Sequence, residues 1–447
     1  MNETIFKAYD VRGRYPNDLD EATAFAIGWG FARSGLVDPG KPVVVGRDMR
    51  ESGKGLAEAL SLGLTAAGAA VIEIGLSTTP MLYFAVVRLG AGGGVMVTAS
   101  HNPGEYNGFK FVRELSIPIS SDTGLLEIRE RSKEAPAWRA GRGAEQAEVD
   151  LTREYVGFYE ERFAVSLDRE VVVDAGNGMA GAILPRVLST QRIRHEDLFF
   201  ELDGRFPHHE ANPLKEESHA FLRRAMAERP GSIGVSFDGD GDRVAFLDET
   251  GELIRGDLLT ALIAGRLLRK NGGGTVIYDL RCSRAVAQAV RALGGRPIKS
   301  RVGHSFIKAL MRKEDALFGG ELSYHFYFRE FFYCESGILA MLHVLSALEE
   351  SGVTLAELVS PLRIGAHSGE INFPVPDMKG AMDRVEALFP DAETSHLDGL
   401  SVEYPSWWFN LRPSNTERLL RLNLEAETEE QMKKQVARLA GVLGRER

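Results

Sequence analysis

Residues 233–243 read Ile-Gly-Val-Ser-Phe-Asp-Gly-Asp-Gly-Asp-Arg, an apolar run followed by three carboxylates at alternate positions. The apolar part has the length and composition of a buried β-strand. Because alternate side chains of an extended segment share one face, Asp238, Asp240 and Asp242 are expected to lie together. Such carboxylates repel one another unless a cation lies among them, and oxygen ligands favour Mg²⁺ or Ca²⁺. The stretch therefore predicts a strand with a divalent-metal site at its end.

An EF-hand loop is one alternative interpretation of this segment, and Glu249 matches the last ligand of such a loop. However, Arg243 stands where an EF-hand has its turn glycine, and a strand rather than a helix precedes the aspartates. A solvated acidic turn is the other alternative. The metal site remains the favoured interpretation.

The arrangement around this strand recurs in two other parts of the chain. In each copy an apolar run ends in a polar loop, a helix follows, and a second apolar run ends in another polar loop. The first copy uses residues 43–45 and 95–97, the second 171–173 and 233–237, and the third 276–278 and 316–318. In the first copy, Ser52 is predicted to cap a helix that stops at Gly68.

Strands that alternate with helices predict largely parallel sheets covered on both faces, and ligands bind beyond the carboxyl ends of such strands. From about Leu362 the pattern becomes strand-rich, and a final helix is predicted from about Glu429. We therefore expect an α/β fold of four domains around a central cleft. Three related α/β domains with mixed or mostly parallel sheets would span residues 1–147, 148–249 and 250–362. A smaller C-terminal α+β domain would span residues 363–447.

Composition narrows the function classes. The chain has 447 residues, a net charge of −10 and no run rich in lysine and arginine, which disfavours nucleic acid as a partner. Two cysteines without a Cys-x-x-Cys pair disfavour a disulfide framework or a structural zinc site. No signal peptide or membrane-length apolar run is recognisable, so a cytoplasmic protein without a membrane partner is expected.

A serine lies in the polar loop that follows the second apolar run of the first copy. Residues 98–103 read Thr-Ala-Ser-His-Asn-Pro, so Ser100 is either a turn residue or a nucleophile. A serine hydrolase would favour a Gly-x-Ser-x-Gly elbow, which is absent around Ser100. The adjacent His101 is expected to point poorly for a base acting on its neighbour, and to donate to a bound phosphate more easily.

Several positively charged residues also lie in predicted loops, although any one of them alone would ordinarily be a surface charge. They are Arg12, Lys110 and Arg243. Residues 412–416 read Arg-Pro-Ser-Asn-Thr, and an arginine followed by hydrogen-bonding side chains in a proline turn suits phosphate capture. Residues 301–305, Arg-Val-Gly-His-Ser, form a similar loop that contains His304.

Five ordered motifs resemble those of the α-D-phosphohexomutase family, in particular its bacterial phosphomannomutase/phosphoglucomutase branch. They are Tyr-Asp-Val-Arg-Gly at 9–13, the Ser100 motif at 98–103, the aspartate motif at 238–243, Gly-Gly-Glu-Leu-Ser-Tyr-His at 319–325 and Arg-Pro-Ser-Asn-Thr-Glu at 412–417. The likeness spans essentially the whole chain. It implies reversible phosphate transfer between C1 and C6 of mannose or glucose phosphates through phospho-Ser100 and a hexose 1,6-bisphosphate.

The resemblance also implies roles for individual residues. Ser100 would carry a phosphate, and a phosphoserine oxygen would join Asp238, Asp240 and Asp242 in holding Mg²⁺. The positions around the transferring group would be Arg12, His101, Lys110, Arg243 and His304, with Lys110 and His304 as the proton-transfer candidates. The substrate-binding positions would be Tyr9, Arg281, Glu321, Ser323, His325, Arg412, Ser414, Asn415 and Thr416. Glucose 1,6-bisphosphate or mannose 1,6-bisphosphate would act as activator, and the protein would be a monomer or a dimer.

Three residues depart from the family pattern. Tyr324 replaces a glycine of the sugar loop and could narrow the sugar pocket, Arg418 replaces a proline, and Arg281 stands where relatives often carry lysine. Within the family, a phosphoglucosamine mutase or a phosphopentomutase remains an alternative. Outside it, the alternatives are a non-catalytic sugar-phosphate sensor and a simple serine phosphatase.

Overall fold

The computed structural model describes residues 1–139, 147–414 and 419–444. Along these residues the chain forms four sheets in succession, each with its own helices. The architecture confirms the predicted fold of three mixed α/β domains followed by an α+β domain.

The first domain contains a mixed sheet in the order β1-β5-β4-β2-β3-β6. Strands β2, β3, β4 and β6 are parallel, whereas β5 is antiparallel to both β1 and β4. The strands are β1 (Val11–Arg14), β2 (Val43–Arg47), β3 (Val71–Leu76), β4 (Gly93–Val97), β5 (Tyr106–Arg113) and β6 (Ala147–Glu148). The helices are α1 (Glu21–Arg33), α2 (Gly53–Ala66), α3 (Thr79–Arg88) and α4 (Leu125–Ser132).

The second domain contains a sheet in the order β11-β10-β9-β7-β8, with β7 parallel to β8 and β9. All five residues of β9 are buried, as the uninterrupted apolar run predicts. The strands are β7 (Ser166–Asp174), β8 (Arg192–Leu198), β9 (Ile233–Phe237), β10 (Val244–Leu247) and β11 (Leu253–Ile254). The helices are α5 (Thr152–Glu160), α6 (Ala180–Ser189) and α7 (Ala220–Ala227).

The third domain contains a sheet in the order β13-β12-β14-β15-β16, in which β12 is parallel to β13 and β14. The strands are β12 (Thr275–Asp279), β13 (Arg296–Ser300), β14 (Phe318–Gly320), β15 (Phe326–Phe328) and β16 (Cys334–Glu335). The helices are α8 (Gly256–Asn271), α9 (Arg284–Ala292), α10 (His304–Lys313), α11 (Gly337–Ser351) and α12 (Leu355–Val359).

The C-terminal domain contains an antiparallel sheet in the order β17-β21-β20-β19-β18. The strands are β17 (Ala366–Pro374), β18 (Glu393–Ser395), β19 (Leu400–Tyr404), β20 (Trp407–Pro413) and β21 (Leu419–Ala426). The helices are α13 (Met378–Glu386) and α14 (Glu429–Leu443). Thr428 caps α14 by accepting a hydrogen bond from the backbone N–H of Gln431.

One apolar core extends through the first three domains, and the first domain has a second core of its own. Within the shared core the ring of Phe84 from α3 lies 5.4 Å from that of Tyr155 in α5, which lies 6.4 Å from that of Phe331 in the third domain. The C-terminal domain has a separate core built from its own residues, between Phe373 and Leu443. We call the first three domains the body.

One loop geometry recurs in all three domains of the body. Asp48, Asp174 and Asp279 stand at the ends of the corresponding strands β2, β7 and β12. Each carboxylate accepts a hydrogen bond from the backbone N–H two residues later, over 3.0, 2.8 and 2.7 Å respectively. The residues that donate are Arg50, Gly176 and Arg281.

The structure corrects two local predictions. Helix α2 does start after Ser52, but that residue has helical backbone angles and its side chain makes no capping bond. Its hydroxyl instead accepts a hydrogen bond from the Asn107 side chain at 2.9 Å. Gly319 and Gly320 belong to strand β14 rather than to the loop that follows.

The apolar helices in the described residues were compared with the length that a membrane-spanning helix needs. No single helix there is long and apolar enough to cross a membrane, while the pair Gly337–Ser351 and Leu355–Leu362, bent by 97°, meets the length and composition requirement only together.

Candidate active site

Ser100 lies at a strained point in the loop after β4. Its φ of +50° is in the left-handed region, which non-glycine residues rarely adopt, and the residue is only 2% exposed. Its Oγ donates a hydrogen bond to Asp238 Oδ2 at 2.9 Å. The approach of the aspartate loop is close enough that a Cβ on Gly239 would lie 2.5 Å from the Ser100 carbonyl oxygen. The two motifs predicted from sequence therefore meet at one point.

A buried arginine holds the serine loop in this conformation. The Arg50 guanidinium donates to the carbonyl oxygens of Ser100 at 2.8 Å and Asn102 at 2.6 Å, and also to those of Pro103 and Tyr106. Asp48 holds Arg50 in turn, through a 3.1 Å contact between two fully buried side chains. Sequence reasoning missed this pair, although the loop Asp-x-Arg after a strand was a visible signal.

The three aspartates form a buried cluster. The carboxylate oxygens available as ligands on Asp238, Asp240 and Asp242 all lie within 4.8 Å of one another. Thr79, at the start of α3, fixes Asp240 by donating its hydroxyl to Oδ2 and its N–H to the carbonyl oxygen. The second domain's aspartate loop is thus joined to the first domain.

The cluster fits a bound divalent cation. Asp240 Oδ1 and Asp242 Oδ1 are buried and have no hydrogen-bond partner among the described residues. Burial, together with repulsion from Asp242 and Asp240, raises the pKa of Asp238 well above its usual value. Both features are relieved by a cation with oxygen ligands. The described residues could therefore hold a metal ion here.

Lys110 projects from β5 into the aspartate cluster. Its Nζ lies 2.6 Å from both Asp240 Oδ2 and Asp242 Oδ2. Burial alone would lower the pKa of Lys110, but the two carboxylates outweigh burial and raise it. The ammonium group is therefore held in its charged form beside the aspartate cluster.

His101 corrects a further expectation. Its Nδ1 lies 3.2 Å from Ser100 Oγ, because the left-handed backbone at Ser100 turns the neighbouring side chains together. Burial, and then repulsion from Arg243 and Arg12, lowers the pKa of His101 well below its usual value. The ring is therefore neutral and within hydrogen-bonding reach of the serine.

One cavity of about 860 Å³ gathers most of the residues predicted to surround the transferring group. Arg12 is oriented in it by hydrogen bonds to Asn102 at 2.7 Å and Asp10 at 2.5 Å. The Arg243 Nε lies 3.1 Å from His325 Nε2. The predicted residues that line the cavity are Tyr9, Arg12, Ser100, His101, Lys110, Asp242, Arg243, His304 and His325.

His304 begins α10 and faces a buried ion pair. Its Nδ1 lies 4.0 Å from Glu335 Oε1 and has no hydrogen-bond partner among the described residues. Burial, followed by repulsion from Lys308, lowers the pKa of His304 to about 4. Lys308 Nζ itself lies 2.7 Å from Glu335 Oε2, and both side chains are buried. The Nδ1 of His304 is thus buried against the ion pair, while its neutral ring lines the cavity.

The predicted sugar loop lies directly behind this cavity. Glu321 Oε2 is bonded to His325 Nδ1 at 2.9 Å and to the Tyr327 hydroxyl at 2.6 Å. Ser323 Oγ lies 3.5 Å from an Arg281 guanidinium nitrogen. The two ends of the loop, Glu321 and His325, are therefore bonded to each other, and Ser323 between them has a partly exposed side chain.

Tyr324 does not occupy the position suggested for it. Its φ of +69° explains why a glycine suits this place in the loop, and its side chain is 5% exposed within the core of the body. It is absent from the residues that line the cavity. The expectation that Tyr324 narrows the pocket is therefore not supported by its position.

Three parts of the molecule bind the backbone of Val302 and Gly303, the two residues before His304. The Tyr9 hydroxyl donates to the Val302 carbonyl at 3.2 Å, and Asp398 of the C-terminal domain accepts from the Val302 N–H at 3.1 Å. Glu321 accepts from the Gly303 N–H at 3.2 Å. The backbone that carries His304 is thus held from the first, third and C-terminal domains.

A group of arginines lies between the sugar loop and the C-terminal domain. Arg412 is the penultimate residue of β20 and lies 3.5 Å from Glu370 Oε2, which is also 4.0 Å from an Arg281 nitrogen. Ser414 follows in the same loop and is 8% exposed. Asn415 and Thr416, also predicted to bind phosphate, lie outside the described residues, as does Arg418.

Comparison with known proteins identifies relatives along the whole chain. Models of the phosphoglucomutase/phosphomannomutase alpha/beta/alpha domains I, II and III match residues 3–137, 153–251 and 255–363. The model of the phosphoglucomutase/phosphomannomutase C-terminal domain matches residues 370–442.

Individual relatives give the same result. The chain is 44% identical to a protein named phosphohexose mutases from Xanthomonas campestris pv. campestris (strain B100), over 95% of each chain. It is 39% identical to a phosphomannomutase of Methanocaldococcus jannaschii, over 99% of this chain and 98% of the relative. A crystal structure of a phosphoglucomutase/phosphomannomutase family protein from Burkholderia thailandensis superposes with a TM-score of 0.89 at 33% identity, covering 98% of this chain and 97% of that one.

Proposed function

This chain belongs to the phosphoglucomutase/phosphomannomutase family and is a hexose-phosphate mutase, and from that premise we propose how its site works. The reaction is a reversible exchange of phosphate between C1 and C6 of mannose or glucose phosphates, through phospho-Ser100 and a hexose 1,6-bisphosphate. The single observation that carries the proposal is the 2.9 Å contact between the Ser100 hydroxyl and a carboxylate of the buried aspartate cluster.

In the first half-reaction, phospho-Ser100 donates its phosphoryl group to the free hydroxyl of the bound sugar. The bond between phosphorus and Ser100 Oγ breaks while a bond from phosphorus to the sugar oxygen forms. The proton of the sugar hydroxyl passes to a base, and His304 suits this role because its ring is neutral and lines the cavity. The second half-reaction returns the other phosphate to Ser100 by the reverse steps.

The charged groups around Ser100 stabilise the transfer. Asp238, Asp240 and Asp242, with a phosphoserine oxygen, would hold Mg²⁺. When bound, the cation neutralises charge on the serine phosphate and on the serine oxygen as it leaves. Lys110, Arg12 and Arg243 add fixed positive charge around the transferring group, and fixed charges need no reorganisation during the reaction.

The opposite end of the substrate would be held by the arginine group and the sugar loop. Arg412 and Arg281 provide guanidinium donors for the phosphate that is not being transferred, and the loop with Ser414, Asn415 and Thr416 completes this site. Glu321, Ser323 and His325 would contact the sugar hydroxyls. Because either phosphate must occupy the arginine site, the intermediate has to reverse its orientation between the half-reactions.

The substrate is tested by initial rates on glucose 1-phosphate, mannose 1-phosphate, glucosamine 1-phosphate and ribose 1-phosphate, each with Mg²⁺ and catalytic glucose 1,6-bisphosphate. Similar strong rates on the first two, abolished by a chelator, are expected. Dominance of the glucosamine or ribose substrate would reassign the specificity while keeping the chemistry. Absence of isomerisation in a folded, metal-bound protein would favour the sugar-phosphate sensor, and stoichiometric release of inorganic phosphate would favour a phosphatase.

The phosphoserine route is tested by Ser100→Ala, which should abolish turnover because no oxygen remains to carry the phosphate. Ser116→Ala is the matched control, since Ser116 is also buried in the first domain and also has a left-handed φ, of +56°. The control should retain its activity. A near-normal rate in Ser100→Ala would contradict the route.

A further inference from the structure

Glu335 lies at the centre of a buried polar network behind the cavity. Its Oε1 accepts hydrogen bonds from Lys308 Nζ at 2.9 Å and from the Tyr83 hydroxyl at 3.0 Å, and its Oε2 lies 2.7 Å from the same Nζ. None of the three residues is more than 1% exposed. The buried carboxylate is tolerated because Lys308 balances its charge and two donors bind it.

The network joins two domains of the body. Tyr83 belongs to α3 of the first domain, whereas Lys308 lies in α10 and Glu335 in β16 of the third. The Lys308 ammonium also lies 4.3 Å from the centroid of the Tyr83 ring. Joining the domains does not require the network to reach the cavity, yet Glu335 lines it together with His304.

The two nitrogens of the His304 ring have different surroundings. Its Nδ1 is buried, has no hydrogen-bond partner among the described residues, and lies 4.0 Å from Glu335 Oε1. The Tyr9 ring packs edge to face against the imidazole, with centroids 5.4 Å apart, and fixes its orientation. Since the ring lines the cavity while Nδ1 is buried, Nε2 is the nitrogen that can meet a substrate.

A neutral imidazole carries one N–H and one lone pair, and its surroundings decide which nitrogen has the proton. A carboxylate attracts an N–H and repels a lone pair. At 4.0 Å the contact between Glu335 and Nδ1 is electrostatic rather than a hydrogen bond, but it acts inside the protein, where charge is weakly screened. The proton of the neutral His304 ring is therefore favoured on Nδ1.

We propose that Glu335 is a positioning residue for His304, whose ring proton it keeps on Nδ1 so that the Nε2 lone pair faces the sugar hydroxyl. This inference rests on the proposed function. Lys308 and Tyr83 hold the carboxylate in place. A carboxylate without a counter-charge would favour a protonated ring, which could not act as a base. The carboxylate paired with Lys308 orients the ring and leaves it neutral.

The reaction moves one proton through this ring. As the bond from phosphorus to the sugar oxygen forms, the hydroxyl proton passes to His304 Nε2, and the ring becomes a cation with a proton on each nitrogen. Glu335 then faces a charged N–H, so the 4.0 Å separation closes toward a charge-assisted hydrogen bond. In the second half-reaction Nε2 returns the proton to the sugar oxygen that loses its phosphate.

The first test observes the tautomer directly, by nitrogen-15 NMR of the histidine rings at pH 7. The signals of His304 are assigned by their loss in His304→Gln. The wild type should carry the ring proton on Nδ1. In Glu335→Gln the proton should move to Nε2, because the amide can donate to Nδ1. A wild-type ring protonated on Nε2, or a Glu335→Gln ring that keeps its proton on Nδ1, would overturn the inference.

The second test separates kcat from KM. Glu335→Gln should lower kcat on glucose 1-phosphate about 10- to 100-fold and leave KM unchanged, since the residue acts through His304. Glu330→Gln is the matched control, because Glu330 lies in the same domain, 3.3 Å from Nε2 of the buried His343, and neither residue lines the cavity. The control should keep both constants.

A third variant guards against loss of folding, because Glu335→Gln leaves Lys308 buried without its partner. The double variant Glu335→Gln/Lys308→Met removes both charges, so it should unfold at the same denaturant concentration as the wild type and still have the low kcat. Restored kcat in this double variant would mean that the pair is only structural. A higher KM with unchanged kcat in Glu335→Gln would mean that Glu335 contacts the sugar. Either result would overturn the inference.

The tautomer measurement also separates this inference from the mutase reaction, because it requires no turnover. A wild type that shows the proton on Nδ1 but has no isomerase activity would contradict the proposed function. An active wild type with the proton on Nε2 would contradict the positioning role of Glu335 alone.

Discussion

The body and the C-terminal domain are held together by different forces. The three domains of the body share a continuous apolar core, in which side chains from α3, α5 and α11 lie in one cluster. The C-terminal domain has its own core and meets the third domain mainly through polar groups. Glu425 accepts hydrogen bonds from Ser283 Oγ at 2.5 Å and Arg284 N at 3.1 Å, and Lys299 Nζ lies 2.5 Å from Glu403.

In the proposed reaction, this difference separates the reacting groups from the groups that would bind the far end of the substrate. Ser100, the aspartate cluster and His304 all belong to the body, whose buried contacts make it rigid. Arg412 and Glu370 belong to the domain that is joined by polar contacts. Polar interfaces between domains tolerate relative motion, so we expect the C-terminal domain to move while the reacting groups stay fixed.

The largest expected effect tests the rigidity of the body. Arg50→Met removes the four carbonyl contacts of the Ser100 loop and leaves Asp48 buried without its partner, so the free energy of unfolding should fall by about 3–5 kcal/mol. Activity should fall with it, because the left-handed Ser100 loses its support. Denaturant unfolding followed by circular dichroism measures the change. Unaltered stability would show that the loop does not depend on Arg50.

A smaller change in the free energy of unfolding is expected when the pH is lowered, and it again concerns the body. The pKa of His304 is about 4 in the folded protein and about 6.5 when unfolded, so the unfolded chain binds more protons between these values. Above pH 6.5, His304 does not reduce the free energy of unfolding. As the pH falls toward 4, the free energy of unfolding decreases by up to about 3 kcal/mol because of this residue. Lys308 and Lys110 disfavour the protonated ring, Glu335 favours it, and His325 is a further neighbour.

The measurement is the free energy of unfolding at pH 7 and pH 5 for the wild type and His304→Gln. The wild type should lose more stability on acidification than the variant, which lacks the titrating ring. Parallel losses in both proteins would assign the acid sensitivity to other buried groups. His396, an exposed histidine of the C-terminal domain, provides a control substitution.

The smallest expected effect on the free energy of unfolding concerns Arg284, which contacts the C-terminal domain. This residue is compared with Arg50. Arg284 also grips carbonyl oxygens, those of Tyr404 at 2.6 Å and Pro405 at 2.9 Å, but its side chain is 27% exposed. Arg284→Met should therefore cost only about 1 kcal/mol. The same denaturation experiment measures it. If Arg284→Met lowered the free energy of unfolding as much as Arg50→Met, the distinction between the buried contacts of the body and the polar contacts of the C-terminal domain would be contradicted.

The sequence was informative where the signal is local. Apolar runs that end in polar loops predicted strands β2, β4, β7, β9 and β12 and placed the special loops at their ends. The loops at Ser100 and Asp238 were found because their residue types are unusual for a plain turn. The structure shows them 2.9 Å apart.

The remaining features depend on contacts that no local pattern contains. Arg50 bonds carbonyl groups about 50 residues away, and the opposition of Arg412 to Arg421 follows from strand register. The direction of the Tyr324 side chain follows from a backbone angle, and Ser52 lost its cap because its own backbone is helical. Such features arise only once distant parts of the chain have come together in the fold.

The Asp loops at the ends of β2, β7 and β12 give the three domains of the body one local geometry. Each keeps the same bond from carboxylate to backbone, while the donating residue is Arg50, Gly176 or Arg281. The first arginine donates to carbonyl oxygens of the serine loop, the third lies 4.0 Å from Glu370 of the C-terminal domain, and the second loop has a glycine instead. The three domains therefore share one loop geometry, in which the residue two positions after the aspartate determines what the loop contacts.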